Sequence, residues 1–312
     1  MKKVLITGSN GLLGQKLLDL YLTIEDIELI ATARGENRYP RKEGYTYASL
    51  DITNEKEVQQ VIAQHAPDCI INTAAMTNVD SCETDKEGCD KLNVDAVAYL
   101  IAAANTAGAH LIHLSTDFIF DGKKGPYKED DEANPLSYYG HSKLLAENMV
   151  REYCTKWSIA RTVLVYGVVN DMSRSNIVLW AKGALEKGQP INVVDDQFRT
   201  PTLAEDLAKG CQLIEHKQAE GIYNISGKDQ MSILELVQRV ANYFDLDEFE
   251  FELISVEDGN LGFKKVNDID IENENEIIES LKGSKYEIDV EEEEDKYFEI
   301  EQQMCALYDN GD

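Results

Sequence analysis

The chain of 312 residues is 43% apolar, 28% charged and 8% aromatic, a globular composition with enough length for one large domain or two modest ones. Its 30 basic and 58 acidic residues leave a net charge of −28. That balance argues against nucleic acid or an anionic membrane as a partner of its body, since phosphates would be repelled.

The acidity is uneven, because residues 245–312 hold 24 acidic residues and 5 basic ones. Six cysteines and five histidines are scattered without a C-x-x-C pair, so neither a metal site nor a disulfide framework is expected. No apolar run approaches the ~18–20 residues of a bilayer span. Met1-Lys2-Lys3 leads straight into a strand without a leader-like apolar stretch. A cytoplasmic protein with reduced thiols is therefore expected.

Strand-like and helical patterns alternate from the start. Lys3–Thr7 reads as a buried strand, Leu12–Leu22 as an amphipathic helix, Glu28–Ala33 and Tyr45–Leu50 as the next two strands. Asn54-x-x-Glu57 is a capping box opening a helix. Cys69–Thr73 and His110–Ser115 are strands separated by a long helix that ends near Gly108. A helix of about fifteen residues from near Tyr139 precedes a strand over Ser158–Val165. Such alternation implies right-handed crossovers and a doubly wound parallel α/β sheet. Beyond Gly167 a helix is expected over Asn176–Lys187, with two more opened by Thr202-x-x-Glu205 and Ser232-x-x-Glu235, and Gly221–Ile225 reads as one further strand. The expected organisation is a dinucleotide-binding domain over 1–167, a substrate lobe over 168–254 interleaved with the last sheet strand, and an acidic segment over 255–312, in which Glu291–Asp295 reads as a solvated run.

Three constellations carry chemistry. Gly8-Ser9-Asn10-Gly11-Leu12-Leu13-Gly14 follows the first strand directly and opens the first helix. This spacing lets backbone N–H groups and the helix dipole face a pyrophosphate. At the end of the second strand, where an Asp or Glu would hold the ribose 2′-hydroxyl of NAD, the chain has Thr32-Ala33-Arg34. The guanidinium of Arg34 favours the extra phosphate of NADP(H), with NAD(H) as the second choice because Glu36 stands close behind. Asp51 and Ile52 end the third strand, where the carboxylate either accepts from an adenine amino group or caps the next helix. Tyr139-x-x-x-Lys143 places a phenol and an ammonium on one helical face. The ammonium favours the phenolate, suiting Tyr139 to acid–base work at a carbonyl or alcohol. Ser115-Thr116-Asp117 ends the fifth strand, the end at which ligands of open α/β sheets sit.

Together these residues resemble the extended short-chain dehydrogenase/reductase superfamily: the T-G-x-x-G-x-x-G loop, the Asn72-Thr73-Ala74-Ala75 turn, the hydroxyl at strand five and the Y-x-x-x-K helix stand in family order. Within it, Ala75–Asp80, Ser115–Gly122, Pro135–Gly140 and Val193–Thr202 are similar to the dTDP-4-dehydrorhamnose reductases. The resemblance covers roughly residues 1–245. It implies a catalytic triad of Thr116, Tyr139 and Lys143, a cofactor met also by Thr73, Ala74, Ala75, Tyr139 and Lys143, the last on the nicotinamide ribose, and a nucleotide-sugar substrate met by Thr77, Val79, Asp117 and Arg199. For Arg199 a structural ion pair is the alternative. The resemblance also admits a homodimer. It implies reduction of a C4 ketone by NADPH; a sugar-nucleotide epimerase or dehydratase and a non-catalytic cofactor-binding regulatory subunit are the alternatives. The departure is at the C-terminus, where Ser255–Asp312 has no Pro and no Arg, so part of the expected substrate wall is unrecognisable.

Overall fold

The computed structural model describes residues 1–171, 175–246, 251–257 and 260–265, the last two stretches as backbone. Met1–Lys264 forms one compact unit and Lys265–Asp312 a second; the described residues, all but Lys265, belong to the first. Most of the expected acidic segment 255–312 thus lies outside them.

In chain order the first half runs β1 (Lys2–Thr7), α1 (Leu12–Tyr21), β2 (Ile27–Ala33), β3 (Thr46–Ser49), α2 (Glu55–His65), β4 (Cys69–Asn72), the short α3 (Val79–Thr84) and α4 (Lys86–Asp90), a π turn over Lys91–Asp95, α5 (Ala96–Ala107) and β5 (His110–Thr116). A 3₁₀ turn, Asp117–Ile119, then leads toward α6 (Tyr138–Tyr153), followed by β6 (Trp157–Thr162) and β7 (Val165–Tyr166). The remainder is α7 (Ile177–Leu185), β8 (Ile191–Val194), β9 (Phe198–Arg199), β10 (Thr202–Leu203), α8 (Ala204–Lys217), β11 (Gly221–Ile225), β12 (Met231–Ser232), α9 (Ile233–Tyr243), β13 (Phe251–Glu257) and β14 (Asn260–Lys265).

The central sheet has seven strands in the order β11-β6-β5-β4-β1-β2-β3, and every adjacent pair is parallel. The order reverses at β1, between β2 and β4, which is the switch point where doubly wound sheets open a crevice at their carboxyl ends. Alternation along the strands fills two cores. Leu5, Ile70 and Leu111 pack with Val58 and Ile62 of α2, Leu100 of α5 and Val150 of α6. On the opposite face Val4, Ile6, Ile71 and Ile112 pack with Leu17 and Leu18 of α1 and Leu207 and Ile214 of α8. Burial on both faces explains why these strands read as continuous apolar runs. Among the described residues no helix is long and apolar enough to cross a membrane.

Two local readings need correction. The strand expected over Ser158–Val165 stops at Thr162, because Leu164 takes a left-handed conformation (φ 41°) that ends the ladder, and β7 then pairs with β10 instead. Thr202 does not cap a helix. It is a β10 residue whose hydroxyl donates to the Val163 carbonyl at 2.7 Å, and α8 begins after Leu203 without a side-chain cap. The Asn54 and Ser232 caps form as expected, each accepting from the N–H three residues on. Outside the sheet, β9 pairs antiparallel with β12, and β8, β13 and β14 form a small sheet beside the α7–α9 pair.

Helix α6 is locked to β6 by a buried ion pair. Arg161 places Nε 3.0 Å from Glu147 Oε1 and Nη2 2.8 Å from Oε2, while Nη1 donates to the Glu129 carbonyl at 3.0 Å. Both side chains are almost wholly excluded from water, so removing one partner strands a buried charge. Glu147→Ala is expected to cost about 3–5 kcal/mol of unfolding free energy. Breaking the exposed Glu235–Arg239 pair on α9 should cost about 0–1 kcal/mol. Denaturant titration of the two variants checks the contrast.

Candidate active site

The loop Gly8–Gly11 leaves β1 and enters α1 at the switch point. A Cβ on Gly14 would stand 2.7 Å from Ser9 Cα, so only glycine lets the helix press this close to the loop. Gly11, the residue before α1, gives it no side-chain cap, which leaves first-turn N–H groups for a ligand. Ser9 Oγ is buried without a hydrogen-bond partner among the described residues. Asn10 ties the loop to the segment after β2: its Nδ2 donates to the Glu36 carbonyl at 2.8 Å, and its Oδ1 accepts from the Arg38 N–H at 2.9 Å. Arg34 stands exposed just beyond β2. An orphaned buried hydroxyl, open helix N–H groups and a nearby guanidinium suit a phosphate-bearing dinucleotide. Leu12 and Leu13 form the first turn of α1.

Asp51 follows β3. Its Oδ1 accepts from the Thr53 hydroxyl at 2.7 Å and the Thr53 N–H at 3.0 Å, so it holds the turn before α2, while Ile52 is buried. After β4, Thr73 donates its hydroxyl to the Thr7 carbonyl at 2.7 Å, which draws Thr73-Ala74-Ala75 against the glycine loop.

At the end of β5, Thr116 is 5% exposed; its Oγ1 donates to Asp117 Oδ1 at 3.1 Å and accepts from the Phe118 N–H at 3.2 Å. Helix α6 lies against this end. A Cβ on Gly140 would collide with the Phe118 carbonyl and lie 3.1 Å from Pro135 Cβ, so glycine after Tyr139 allows the close approach. Tyr139, 8% exposed, meets Phe118 edge to face with centroids 5.7 Å apart. One turn on, Lys143 is 2% exposed and donates to the Leu114 carbonyl at 2.7 Å. Burial lowers the pKa of its amine to about 8, against the opposing pull of Glu147 and Cys89. The phenol and amine on α6 are thereby both fixed against the strand end that carries Thr116.

The loop after β4 is fixed to the same helix by a residue that pattern reading missed. Asn93, in the π turn, accepts from the Met76 N–H at 2.8 Å and donates to the Met76 carbonyl at 3.0 Å and to Ser142 Oγ at 3.1 Å. Ser142 in turn donates to the Tyr139 carbonyl at 2.8 Å. A lone Asn in the run toward the apolar α5 was the available signal. Val79, first residue of α3, packs in a cluster with Tyr139, Cys82 and Cys89, while Thr77 is exposed in the loop just before it.

Beyond Thr116 a cleft of ≈720 Å³ opens between the 117–127 segment and β9, with Asp117, Phe118, Arg161 and Arg199 in its wall. Arg199 Nε lies 3.7 Å from Asp117 Oδ2, and its guanidinium stands 5.6 Å from the Phe118 ring centroid. Burial pushes the Asp117 carboxyl up, and Arg199 holds it partly down. Among the described residues no group of His, Cys, Asp and Glu side chains could hold a metal.

Residues 1–275 match the family described as the RmlD substrate binding domain. Methionine adenosyltransferase 2 subunit beta of Danio rerio is 30% identical over 250 residues, 78% of this chain and 75% of that one. A dTDP-4-dehydrorhamnose reductase structure from Clostridium acetobutylicum superposes with a TM-score of 0.72 at 30% identity, covering 84% of this chain and 87% of that one. The Bacillus anthracis dTDP-4-dehydrorhamnose reductase in complex with NADP gives 0.67 at 30% identity, covering 79% and 82%. Matched over nearly its whole described length, with glycine loop, strand-five hydroxyl and Tyr–Lys helix in place, the chain belongs to the RmlD substrate binding domain family.

Proposed function

We propose that the protein is an oxidoreductase that uses NADP(H), with NAD(H) as a weaker alternative, to reduce the C4 ketone of a nucleotide-linked 6-deoxy-4-keto sugar. The observation that carries this reading is the placement of Thr116 at the carboxyl end of β5, with Lys143 bonded to the Leu114 carbonyl of the same strand and Tyr139 packed on Phe118 just beyond it, together with a glycine loop fit for a dinucleotide. The reductases among the similar structures, one of them with NADP, support it.

When bound, the reduced nicotinamide supplies the hydride. The chain's own groups then handle the proton and the charge. Tyr139 gives its phenolic proton to the carbonyl oxygen as that oxygen gains negative charge, and the Lys143 ammonium stabilises the phenolate left behind. Thr116 donates a hydrogen bond to the developing alkoxide. Val79 and Thr77 wall the sugar, and Arg199 takes the diphosphate in place of its pairing with Asp117. Among these assignments Lys143 carries the pH sensitivity. The ammonium is complete well below about pH 8 and is lost as pH rises through that value, so reduction slows on the alkaline side.

A second reading, a cofactor-binding regulatory subunit without turnover, has in its favour that the Danio rerio relative is named as a subunit of another enzyme. Turnover separates the two. With a dTDP-linked 4-keto-6-deoxy sugar, the wild-type chain is expected to consume NADPH, and Tyr139→Phe to lose about 10²–10⁴-fold in kcat while still binding NADPH. NADPH binding without consumption of any 4-keto sugar nucleotide would favour the regulatory subunit. For the cofactor, Arg34→Ala is expected to weaken NADPH relative to NADH by about 10–100-fold, the worth of one charge-assisted contact to the 2′-phosphate. Equal loss for both cofactors in a titration would remove Arg34 from that role.

A further inference from the structure

One buried titratable side chain has no part in the chemistry above. His113 lies in the middle of β5, 1% exposed, in register with Asn72 on β4. Asn72 is in register with Thr7 on β1. Three neighbouring strands thus present a row of polar side chains on the face that α6 covers. Thr7 Oγ1 lies 2.6 Å from the Asn72 amide oxygen, the Asn72 amide nitrogen 3.2 Å from His113 Nδ1, and His113 Nε2 3.1 Å from Lys143 Nζ. At its other end the row reaches the last residue of β1 before the glycine loop, where Thr73 holds the Thr7 carbonyl. A polar row placed where apolar side chains would pack is costly unless every member is satisfied.

We propose that His113 is a positioning residue for Lys143: its Nε2 accepts from the buried ammonium, and through Asn72 it ties the proton state of the amine to the strand that bears the glycine loop. The proposal rests on the assignment of Lys143 as the cation beside the Tyr139 phenol.

Hydrogen-bond parity gives the row two self-consistent arrangements. An ammonium on Lys143 must donate, so Nε2 is bare, Nδ1 carries the proton, and the Asn72 amide turns its oxygen toward the ring, the reverse of the amide orientation the structure records. A neutral amine can also accept from Nε2–H, and then Nδ1 is bare and the Asn72 amide keeps its nitrogen toward the ring, as the structure has it. Loss of the Lys143 proton opens the second arrangement, and in this proposal it is accompanied by a tautomer change in His113 and a turn of the Asn72 amide. The imidazole itself stays neutral throughout, since burial, and secondarily the Lys143 charge, drives it far below its ordinary range. The other titratable groups around the amine are Tyr139 and Glu147 on α6, Cys89 on α4 and, behind Glu147, Arg161 on β6. Glu147 is already spent on Arg161. His113 and the Leu114 carbonyl are thus the neutral acceptors from β5 that hold the ammonium in its buried place.

The test follows the Lys143 Cε signal of the full chain, labelled with ¹³C-lysine and assigned with Lys143→Arg, across pH. His113→Leu, which removes the acceptor, is expected to lower the midpoint by about one pH unit or more, a tenfold loss of proton affinity. His113→Gln, which keeps an acceptor at the position of Nε2, should stay within about 0.3 unit of the parent. An unchanged midpoint in His113→Leu, or an equal fall in both variants, would overturn the proposal. The ring nitrogens of His113 in the unaltered protein give a reading that needs no variant to fold. Their ¹⁵N shifts should exchange tautomers with the same midpoint as Lys143 Cε, and constancy through that midpoint would sink the proposal. None of these readouts uses a sugar substrate, so a missing ketoreductase activity would remove the functional reading and leave the His113 result intact.

Discussion

Burying an ammonium is unfavourable unless its protons are accepted, and this requirement fixes where α6 sits. The Lys143 amine reaches a strand carbonyl and an imidazole on β5, and both contacts are met only when the helix lies close across the carboxyl end of that strand. Gly140 removes the side chain that would hold it off. The Arg161–Glu147 pair closes the far side, tying the same helix to the next strand. Once α6 is so placed, Tyr139 is brought against Phe118 and the strand end of Thr116 as a consequence. The amine gains its depressed proton affinity from the same burial that orders it, so position and reactivity have one cause.

The parts of this arrangement that could be read in advance are those encoded by short, fixed spacings. The glycine loop depends on residues three apart at a strand–helix junction, and the Tyr–Lys face on one helical turn, so both are local. The alternation of buried strands and amphipathic helices gave the doubly wound sheet for the same reason. What stayed hidden depends on register between strands distant in sequence. Thr7, Asn72 and His113 are 65 and 41 residues apart, and nothing in the local pattern of β5 marks His113 as different from a satisfied core histidine. Asn93 belongs with them, because its role requires α6 and the loop after β4 to meet it in space. The Thr202 error has the opposite origin. A capping sequence was present, but β10 pairing with β7 claimed the hydroxyl for the Val163 carbonyl, and tertiary context overrode a local preference.

The glycine loop and α6 are therefore not independent features set into the same sheet. Asn10 fixes the loop to the segment beyond β2, Thr73 fixes it to the strand-four turn, and Asn93 carries that turn to α6. Each link is a short hydrogen bond with a buried or half-buried partner, where a lost acceptor is expensive. Such a frame holds the groups proposed for the cofactor and those proposed for the proton at a constant separation, which is what transfer of a hydride and a proton to the two ends of one carbonyl requires.

The cleft beyond the frame is built differently. Arg199 reaches Asp117 at 3.7 Å, longer than a hydrogen bond, and its remaining donors go to the Phe198 carbonyl and the Gln197 side chain. These are neutral acceptors on its own strand segment, so little holds the guanidinium against a stronger anion. A diphosphate that drew Arg199 away would remove the one charge that lowers the Asp117 pKa, and burial would then push that carboxyl further up. The Asp117 carboxyl thus meets both the Thr116 hydroxyl and the Arg199 guanidinium, and under the proposed binding the strand-end hydroxyl and the cleft cation answer to one buried acid.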